Sequence, residues 1–241
     1  MITMAIDHIG SPILGNYLPF RRIGRFAFPI YTFLLAEGFR HIKGDENRVM
    51  KHLSGYILLA LVSEAAYDLL EASALTAEAM FESQSVMVTL LLSLLGLMAF
   101  EKFRDKPLII GCTALLCALA SQWIKGNYKF VDPLLLFAFY YYLNHVEGKS
   151  YIRRLAELLG LFLVYLPIYH WARYNFCSPA VWVEKLFPTN IYWYITHIAA
   201  AAVLAMYNGN LGYTSKRFNI IYKYFYPAHL LVLGVIWRLI S

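Results

Sequence analysis

The chain has 241 residues, of which 60% are hydrophobic and only 15% are charged, and its 21 basic and 15 acidic side chains give a formal net charge of +6. Ordinary soluble domains contain about 45–50% apolar and about 25% charged residues, so this composition excludes disorder, fibrous repeats and nucleic-acid-binding arms, and argues against a soluble core. It predicts an all-α, polytopic integral membrane protein whose partner is the lipid bilayer.

Nine apolar segments are long enough to cross a hydrocarbon layer of about 30 Å, which takes roughly 17 to 25 residues. In chain order they cover residues 1–18, 23–41, 50–70, 84–101, 107–124, 130–146, 152–171, 189–207 and 218–240. Pro12 interrupts the first, which is therefore expected to be a half-span, so that the total lies between eight and ten. Because no linker or repeat divides the chain, we expect one helical bundle, a single domain over residues 1–241.

The positions of Lys and Arg predict the orientation of these segments. The connections after the second, fourth, sixth and eighth segments hold most of the basic residues, and the positive-inside rule places such connections in the cytoplasm. The connection after the third segment holds Glu71, Glu78 and Glu82 without a basic residue, so it is expected to face outward. The predicted location is the cell inner (cytoplasmic) membrane, with multi-pass topology.

Ionisable residues inside the first apolar segment indicate a polar interior site. Each such group costs about 2.5 to 3.5 kcal/mol at mid-bilayer, so it needs a reason to be there. Asp7 and His8 lie in the first segment, where about 1.5 Å of rise per residue puts His8 roughly 12 Å into the layer. Neighbours on a helix diverge by about 100°, so Asp7 is expected to meet a cation of another segment, for which Arg25 is suitable.

The second segment contains two pairs of charged residues spaced three apart. Arg22 and Arg25 would share one helical face near the predicted outer end, against the charge rule, which suggests a ligand or an ion pair there. Glu37 and Arg40 lie at the other end, where an intrahelical ion pair and a binding role are both open interpretations.

The third and last segments carry further polar residues. Glu64 and Asp68 are four apart and therefore stacked as like charges, so they need protonation, partners or water. In the last segment Pro227 lies between Tyr226 and His229, and a proline kink beside a histidine can open a cavity. A purely structural hydrogen bond remains an alternative role for His229.

Several motifs are missing from the sequence. It has no His-x-x-Glu-His, no Gly-x-Ser-x-Gly, no glycine-rich phosphate loop and no Cys-x-x-Cys, so hydrolysis by a zinc or serine mechanism is disfavoured and no metal is expected. What remains is a histidine in a medium of low dielectric constant, several carboxylates and a basic cytoplasmic rim. This set suits general-base transfer of a group from a polyanionic cytosolic donor.

Five blocks of the sequence together resemble the TraX family. In order between residues 4 and 233 they are MAIDHIG, RRIGRFAFPIYTFLLAEGFRH, LVSEAAYDLL, VMVTLLLSLL and YFYPAHLLVL. TraX proteins are membrane proteins described as pilin-acetylation or conjugal-transfer acyltransferases. The family is also distantly similar to the acyltransferase-three and heparan-glucosaminide acetyltransferase membrane enzymes.

The resemblance implies transfer of an acetyl group from acetyl-coenzyme A (acetyl-CoA), the donor substrate, to an amine or hydroxyl of an acceptor polypeptide or glycan, such as a pilin N-terminus or a surface glycan. It implies that His8 is the catalytic base, with Asp7 beside it. The residues expected to bind substrate are Arg22, Arg25, Glu37, Arg40, Glu64, Asp68, Tyr226 and His229. Direct transfer and a covalent acyl-histidine relay are both chemically open.

Cytoplasmic basic residues are expected to hold the phosphates of the donor. The candidates are Lys43, Arg48, Lys51, Lys102, Arg104 and Lys106.

Two other classes of function also fit the sequence. One is a proton-coupled membrane transporter using Asp7, Glu64 and Asp68, and the other is a non-enzymatic assembly factor for surface filaments.

Overall fold

A computed structural model describes residues 1–15, 17–72, 76–126, 131–173, 191–210 and 215–240. Within these ranges the regular structure is helical, apart from one isolated bridge between Gln84 and Gly126. The predicted all-α class is therefore confirmed.

The first predicted segment forms a short helix with an irregular end. Helix α1 covers Ile2–His8 and runs into a π-helical stretch, Ile9–Ile13, which contains Pro12. Together they reach about 18 Å at 1.5 Å per residue, well short of a hydrocarbon layer of about 30 Å. The interruption expected at Pro12 is thus present, and His8 closes the regular part of α1.

The second predicted segment is not one helix, and its predicted beginning at residue 23 was wrong. Helix α2 covers Leu18–Gly24, Arg25 and Phe26 form a turn, and helix α3 covers Ala27–Ile42. Pro29 favours a new helix here, because a proline lacks the N–H that would bond to the carbonyl four residues earlier and is most easily accommodated in the first turn of a helix. Arg22 and Arg25 therefore do not share one continuous helix.

The remaining predicted segments all occur as helices, with ends within four residues of those expected. They are α4 (Glu46–Glu71), α6 (Val86–Lys102), α7 (Pro107–Trp123), α8 (Val131–His145), α9 (Tyr151–Arg173), α10 (Ile191–Ala205) and α11 (Lys216–Ile240), with a short α5 (Ala77–Met80) after α4. Asp45 begins α4, because its carboxylate accepts a hydrogen bond from the backbone N–H of Arg48 at 3.1 Å.

The helices pack against one another around an apolar core. Helix α4 lies along α11, α3 along α8 and α9 along α10, while α6 contacts α7, α8 and α4. Phe33 of α3 meets Phe139 of α8 edge to face, with 5.4 Å between ring centroids, and both rings are fully buried. Helix α1 contacts both α2 and α11, so the beginning of the chain is held against its last described helix.

Two of the described helices, α4 and α11, are long and apolar enough to cross a membrane, and α7 and α10 contain shorter apolar stretches. Large apolar side chains point outward from α4 at Leu58 and Leu61 and from α11 at Val232 and Leu239. Soluble proteins rarely expose apolar surface so broadly. These features indicate that the protein associates with a membrane.

Candidate functional site

A cavity of about 60 Å³ lies between α1, α3, α4, α6 and α11, and His8 is part of its wall. This volume holds about four water molecules. We call it the His8 cavity. Most of the wall is apolar, and its polar side chains are Asp7, His8, Tyr31, Tyr56 and Tyr226. The cavity combines polar groups with an otherwise apolar lining, as small-molecule sites do.

His8 and His229, which lie 221 residues apart in the sequence, are in direct contact. The distance from Nδ1 of His8 to Nε2 of His229 is 2.9 Å. On its other side His229 is held by its own helix, with Nδ1 at 2.7 Å from the carbonyl oxygen of Phe225. The ring of Tyr226 meets His8 edge to face at 5.9 Å between centroids. Three of the predicted site residues are thus brought together.

Asp7 also lines the cavity and does meet a cation from the next helix. The cation is Arg21, whose Nε lies 3.6 Å from Oδ1 of Asp7. The sequence had suggested Arg25 for this place and had not singled out Arg21. Glu71 is a second carboxylate in this region. Its Oε2 accepts a hydrogen bond at 3.0 Å from Ser11, which lies three residues after His8.

Gly24 makes the close approach of α2 to α1 possible. A Cβ atom on Gly24 would overlap with Cβ and Cγ of Asp7. Any larger residue at this position would therefore displace Asp7 or the end of α2. The glycine thus determines where the Asp7 carboxylate lies relative to the cavity.

Arg22 and Arg25 both contact aromatic rings of α10. The guanidinium carbon of Arg22 lies 3.6 Å from the ring centroid of Tyr192, and that of Arg25 lies 5.0 Å from the ring of Trp193. Such cation–π contacts are worth roughly 0.5 to 2 kcal/mol, depending on how far the cation is desolvated. The two arginines thus fasten the turn after α2 to two consecutive residues of α10, and their role in binding substrate stays a prediction.

Glu64 and Asp68 lie on one side of α4, outside the wall of the His8 cavity. Oε2 of Glu64 accepts a hydrogen bond from the backbone N–H of Ser85 at 3.0 Å, just where α6 begins. Asp68 is buried, with 7% of its surface exposed. Glu64 therefore has one of the partners that the sequence allowed for, and its carboxylate lies at the N-terminal end of α6, where the helix dipole favours an anion.

Glu37 and Arg40 form the intrahelical ion pair that the sequence left as one of two interpretations. Arg40 donates to both carboxylate oxygens of Glu37, at 2.8 and 3.0 Å. Tyr207 donates to the same carboxylate at 3.1 Å, and Arg40 reaches the carbonyl oxygen of Leu143 at 3.3 Å. This network joins the end of α3 to α8 and to the segment after α10. A binding role for the pair stays a prediction.

Lys43, expected to contact phosphates, is engaged by protein groups. It donates to the hydroxyl of Tyr140 at 2.7 Å and lies 3.2 Å from Glu101, which also accepts from Tyr140 at 2.5 Å. Burial acts to lower the pKa of Lys43, but its contacts with Tyr140 and Glu101 outweigh burial and raise the pKa above the ordinary value. By contrast, Lys51, Lys102 and Lys106 are exposed.

Sequence reasoning missed two fully buried ionisable side chains, Asp132 of α8 and His170 of α9. Both lie inside predicted apolar segments, which was the signal that could have found them. Within the described ranges, no three His, Cys, Asp or Glu side chains converge as ligands for a metal. A metal-free site stays a prediction.

The arrangement at the His8 cavity is suited to proton transfer. The imidazole of His8 forms part of the wall of the cavity and is in contact with the imidazole of His229. The carboxylate of Asp7 belongs to the preceding residue of the chain. A base that works this way must reach the proton it removes and keep a fixed orientation. Both conditions are easier to meet in the interior of a bundle than on its surface.

A comparison with protein families identifies the family of this chain. The family model described as "TraX protein" matches residues 1–237. A curated protein from Dichelobacter nodosus, "Probable fimbrial assembly protein FimC, serogroup H1", is 27% identical over 176 residues, which is 68% of this chain and 67% of that protein. No solved structure matches the chain significantly. Since the family model covers nearly the whole sequence, the chain belongs to the TraX family.

Proposed function

We propose that this protein is an integral-membrane acyltransferase that moves an acetyl group from cytosolic acetyl-CoA to an amine or hydroxyl acceptor, with His8 as the general base. The observation that carries the proposal is a buried histidine in the wall of a small cavity, held at 2.9 Å by a second histidine. The name of the relative from Dichelobacter nodosus, a probable fimbrial assembly protein, supports a filament subunit such as a pilin N-terminus as the acceptor. A surface glycan is the other acceptor class.

In this proposal the chain crosses the inner membrane about nine times as one domain. The apolar outer surface of α4 and α11 supports contact with lipid, and the other long helices follow the predicted segments closely. His229 is the fourteenth of the 25 residues of α11. If α11 spans the layer, the two histidines lie near its middle, where substrates arriving from either side could meet.

The size of the cavity limits what can enter it. About 60 Å³ suits an acetyl group and the attacking atom of an acceptor, but not the nucleotide of coenzyme A. The nucleotide would stay at the cytoplasmic rim. Because Lys43 is engaged by Glu101 and Tyr140, the exposed Lys51, Lys102 and Lys106 are better placed to contact its phosphates.

In the proposed reaction, His8 takes up and returns the only proton that is transferred. The acceptor nitrogen or oxygen forms a bond to the thioester carbonyl carbon as its proton moves to His8. The carbon–sulfur bond then breaks, and His8 returns the proton to the departing thiolate. Asp7 and Arg21 would set the local charge, while Tyr226 would support the His8 ring. In the acyl-histidine variant, His8 itself attacks the thioester carbonyl carbon, the carbon–sulfur bond breaks and coenzyme A departs as the thiolate. The acceptor then attacks the acetyl carbon, its bond to the ring nitrogen breaks, and the acceptor proton passes through His8 to the thiolate.

The other residues proposed for binding divide by position. Arg22 and Arg25 contact aromatic rings of α10, and Glu64 and Asp68 lie on α4 outside the cavity wall. Glu37 and Arg40 are at the far end of α3. We propose that Glu37 and Arg40 shape the donor entrance. The other four residues would meet the acceptor: Arg22, Arg25, Glu64 and Asp68.

The test is release of free coenzyme A thiol from acetyl-CoA by the purified, reconstituted protein, with amines, pilin-like peptides and sugars offered as acceptors. His8→Ala is expected to lower the rate by about 10²- to 10⁴-fold, the usual contribution of a general base. His145→Ala is the matched control, because His145 is exposed at the end of α8 and should leave the rate unchanged. No thiol release by the unaltered protein with any acceptor would refute the proposal.

An assembly factor without catalysis is the second candidate, favoured by the name of the fimbrial relative. It predicts that filaments still form when His8 is replaced by alanine. A transporter would instead show gradient-driven uptake into liposomes without consumption of thioester. Measured side by side, filament assembly, uptake and thiol release separate the three functions.

A further inference from the structure

A chain of hydrogen bonds determines which ring nitrogen of His8 carries a proton. It begins at the carbonyl oxygen of Phe225, passes through the ring of His229 and ends at Nδ1 of His8. The two distances are 2.7 and 2.9 Å, both in the normal range for hydrogen bonds. A neutral imidazole has one donor and one acceptor nitrogen, so each bond in the chain constrains the next.

The first bond fixes the tautomer of His229. A carbonyl oxygen can only accept, so Nδ1 of His229, which faces Phe225, must carry the proton. In the neutral ring, Nε2 of His229 is then left with a lone pair and can only accept. Among the described residues neither ring has a carboxylate as a hydrogen-bond partner, so the neutral form is the one that the surroundings support.

The second bond fixes the tautomer of His8. Nε2 of His229 accepts, so Nδ1 of His8 must be the donor at 2.9 Å. The carbonyl of Met4 also faces the His8 ring and can only accept. In the other histidines for which this contact is described, His145, His197 and His229, the carbonyl four residues earlier is met by Nδ1. Met4 thus favours a proton on the same nitrogen.

The remaining nitrogen of His8 is the one available for chemistry. His8 is part of the cavity wall and His229 is not, and Nδ1 of His8 is already engaged by His229. With the proton on Nδ1, Nε2 of His8 holds the lone pair. A histidine in the other tautomer would have its lone pair on the nitrogen held by His229, where no substrate can reach it.

We infer that His229 is a positioning residue that holds His8 in the tautomer with the proton on Nδ1 and the lone pair on Nε2, so that Nε2 is the base. This inference rests on the proposed function and assigns His229 a role other than contact with substrate. The proton of the acceptor moves to Nε2 of His8 as the acceptor attacks the thioester. The imidazolium keeps its Nδ1–H on His229, and when the carbon–sulfur bond breaks, Nε2 gives its proton to the thiolate.

Neighbouring rings restrict the movement of both histidines. Phe225 stacks on His229 at 4.8 Å between centroids, and Tyr226 lies at 5.5 Å from the same ring. Tyr226 also meets His8 at 5.9 Å. Because these aromatic residues are consecutive on α11, the orientation of His229 follows from the orientation of that helix.

The test compares two replacements of similar size. In His229→Gln an amide oxygen can still accept from Nδ1 of His8, whereas in His229→Met no comparable acceptor remains. We expect His229→Gln to keep thiol release within about tenfold of the unaltered protein and His229→Met to lose about 10²-fold or more, the scale of a general base that is wrongly protonated. Equal rates for the two variants would overturn the inference.

A second measurement needs no acetyl transfer. Nitrogen-15 NMR of the histidine-labelled protein reports which ring nitrogen is protonated, and His8→Ala identifies the His8 signals. We expect the Nδ1–H form in the unaltered protein and a mixture of forms in His229→Met. Protonation at Nε2 in the unaltered protein would overturn the inference even if the variants fail to fold. If the tautomer is as expected and no thiol is released, the positioning role stands and the proposed function fails.

Discussion

Replacing Gly24 by alanine tests how closely α1 and α2 must approach. The new Cβ would overlap with Cβ and Cγ of Asp7 and come within 2.8 Å of its Oδ1. Forcing a methyl group into a filled space costs about 1–3 kcal/mol, and the better helix propensity of alanine returns about 0.5–1 kcal/mol. Because the closest contact, to Cβ of Asp7, is a severe overlap, the upper part of the first range applies, about 2–3 kcal/mol. The net loss in unfolding free energy is then on the order of 1–2 kcal/mol.

Thermal unfolding of the purified protein measures this loss. For a chain of this length, each kcal/mol shifts Tm by about 2–4 °C, so Gly24→Ala should lower Tm by about 2–8 °C. The matched control is Gly38→Ala in α3, where a Cβ would meet nothing within 4 Å. There only the gain in helix propensity applies, so Tm should rise by about 1–4 °C.

The opposite signs of the two shifts are the decisive feature of this experiment. The displacement of Asp7 should also reduce acetyl transfer in Gly24→Ala, whereas Gly38→Ala should leave it unchanged. A rise in Tm for Gly24→Ala equal to that of the control would refute the close packing of α2 against Asp7. Gly24 would then have no part in setting the position of that carboxylate.

Three further predictions concern stability and are checked by Tm against the unaltered protein. Tyr207→Phe removes the hydroxyl that donates to Glu37 at 3.1 Å and should cost about 1.5–3 kcal/mol, as for bonds to charged groups; an unchanged Tm would contradict that bond. Arg238→Gln removes hydrogen bonds to two carbonyl oxygens at the end of α4, at 2.9 and 2.7 Å. The loss in unfolding free energy should exceed that for a single neutral hydrogen bond, which is about 0.5–1.5 kcal/mol, and Tm should fall accordingly. Lys43→Met should lower the free energy of unfolding at neutral pH. The folded-state pKa of Lys43 is raised above 10.5, so the difference in unfolding free energy between the variant and the unaltered protein should shrink as the pH rises through that raised pKa. A difference that persists in strong alkali would mean that Lys43 acts through packing alone.

The sequence was sufficient for the helices whose apolar stretches are long and uninterrupted. Such stretches predict a helix wherever a chain avoids exposing backbone groups to lipid, and α4 and α11 appear within four residues of their expected ends. The break before α3 was missed, although Pro29 was visible, because a proline is compatible both with a kinked helix and with the start of a new one. The same ambiguity led to the wrong expectation that Arg22 and Arg25 share one helical face.

Residues of the candidate site could be proposed from the sequence one by one, but their arrangement could not. Asp7, His8 and His229 stood out because ionisable groups are rare in apolar segments. Their neighbours depend on which helices pack together, and spacing along one helix carries no information about that. The contact between His8 and His229, and the approach of Arg21 to Asp7, therefore required the three-dimensional structure.

The contact between α1 and α11 has a consequence for biosynthesis. His8 is made among the first residues of the chain and His229 near the end, so the pair cannot exist until the last described helix has been inserted and docked. If the proposed acetyl transfer takes place at His8, a partly synthesised or wrongly threaded chain would lack the His229 contact that holds this base. Activity would then depend on the docking of α11 against α1.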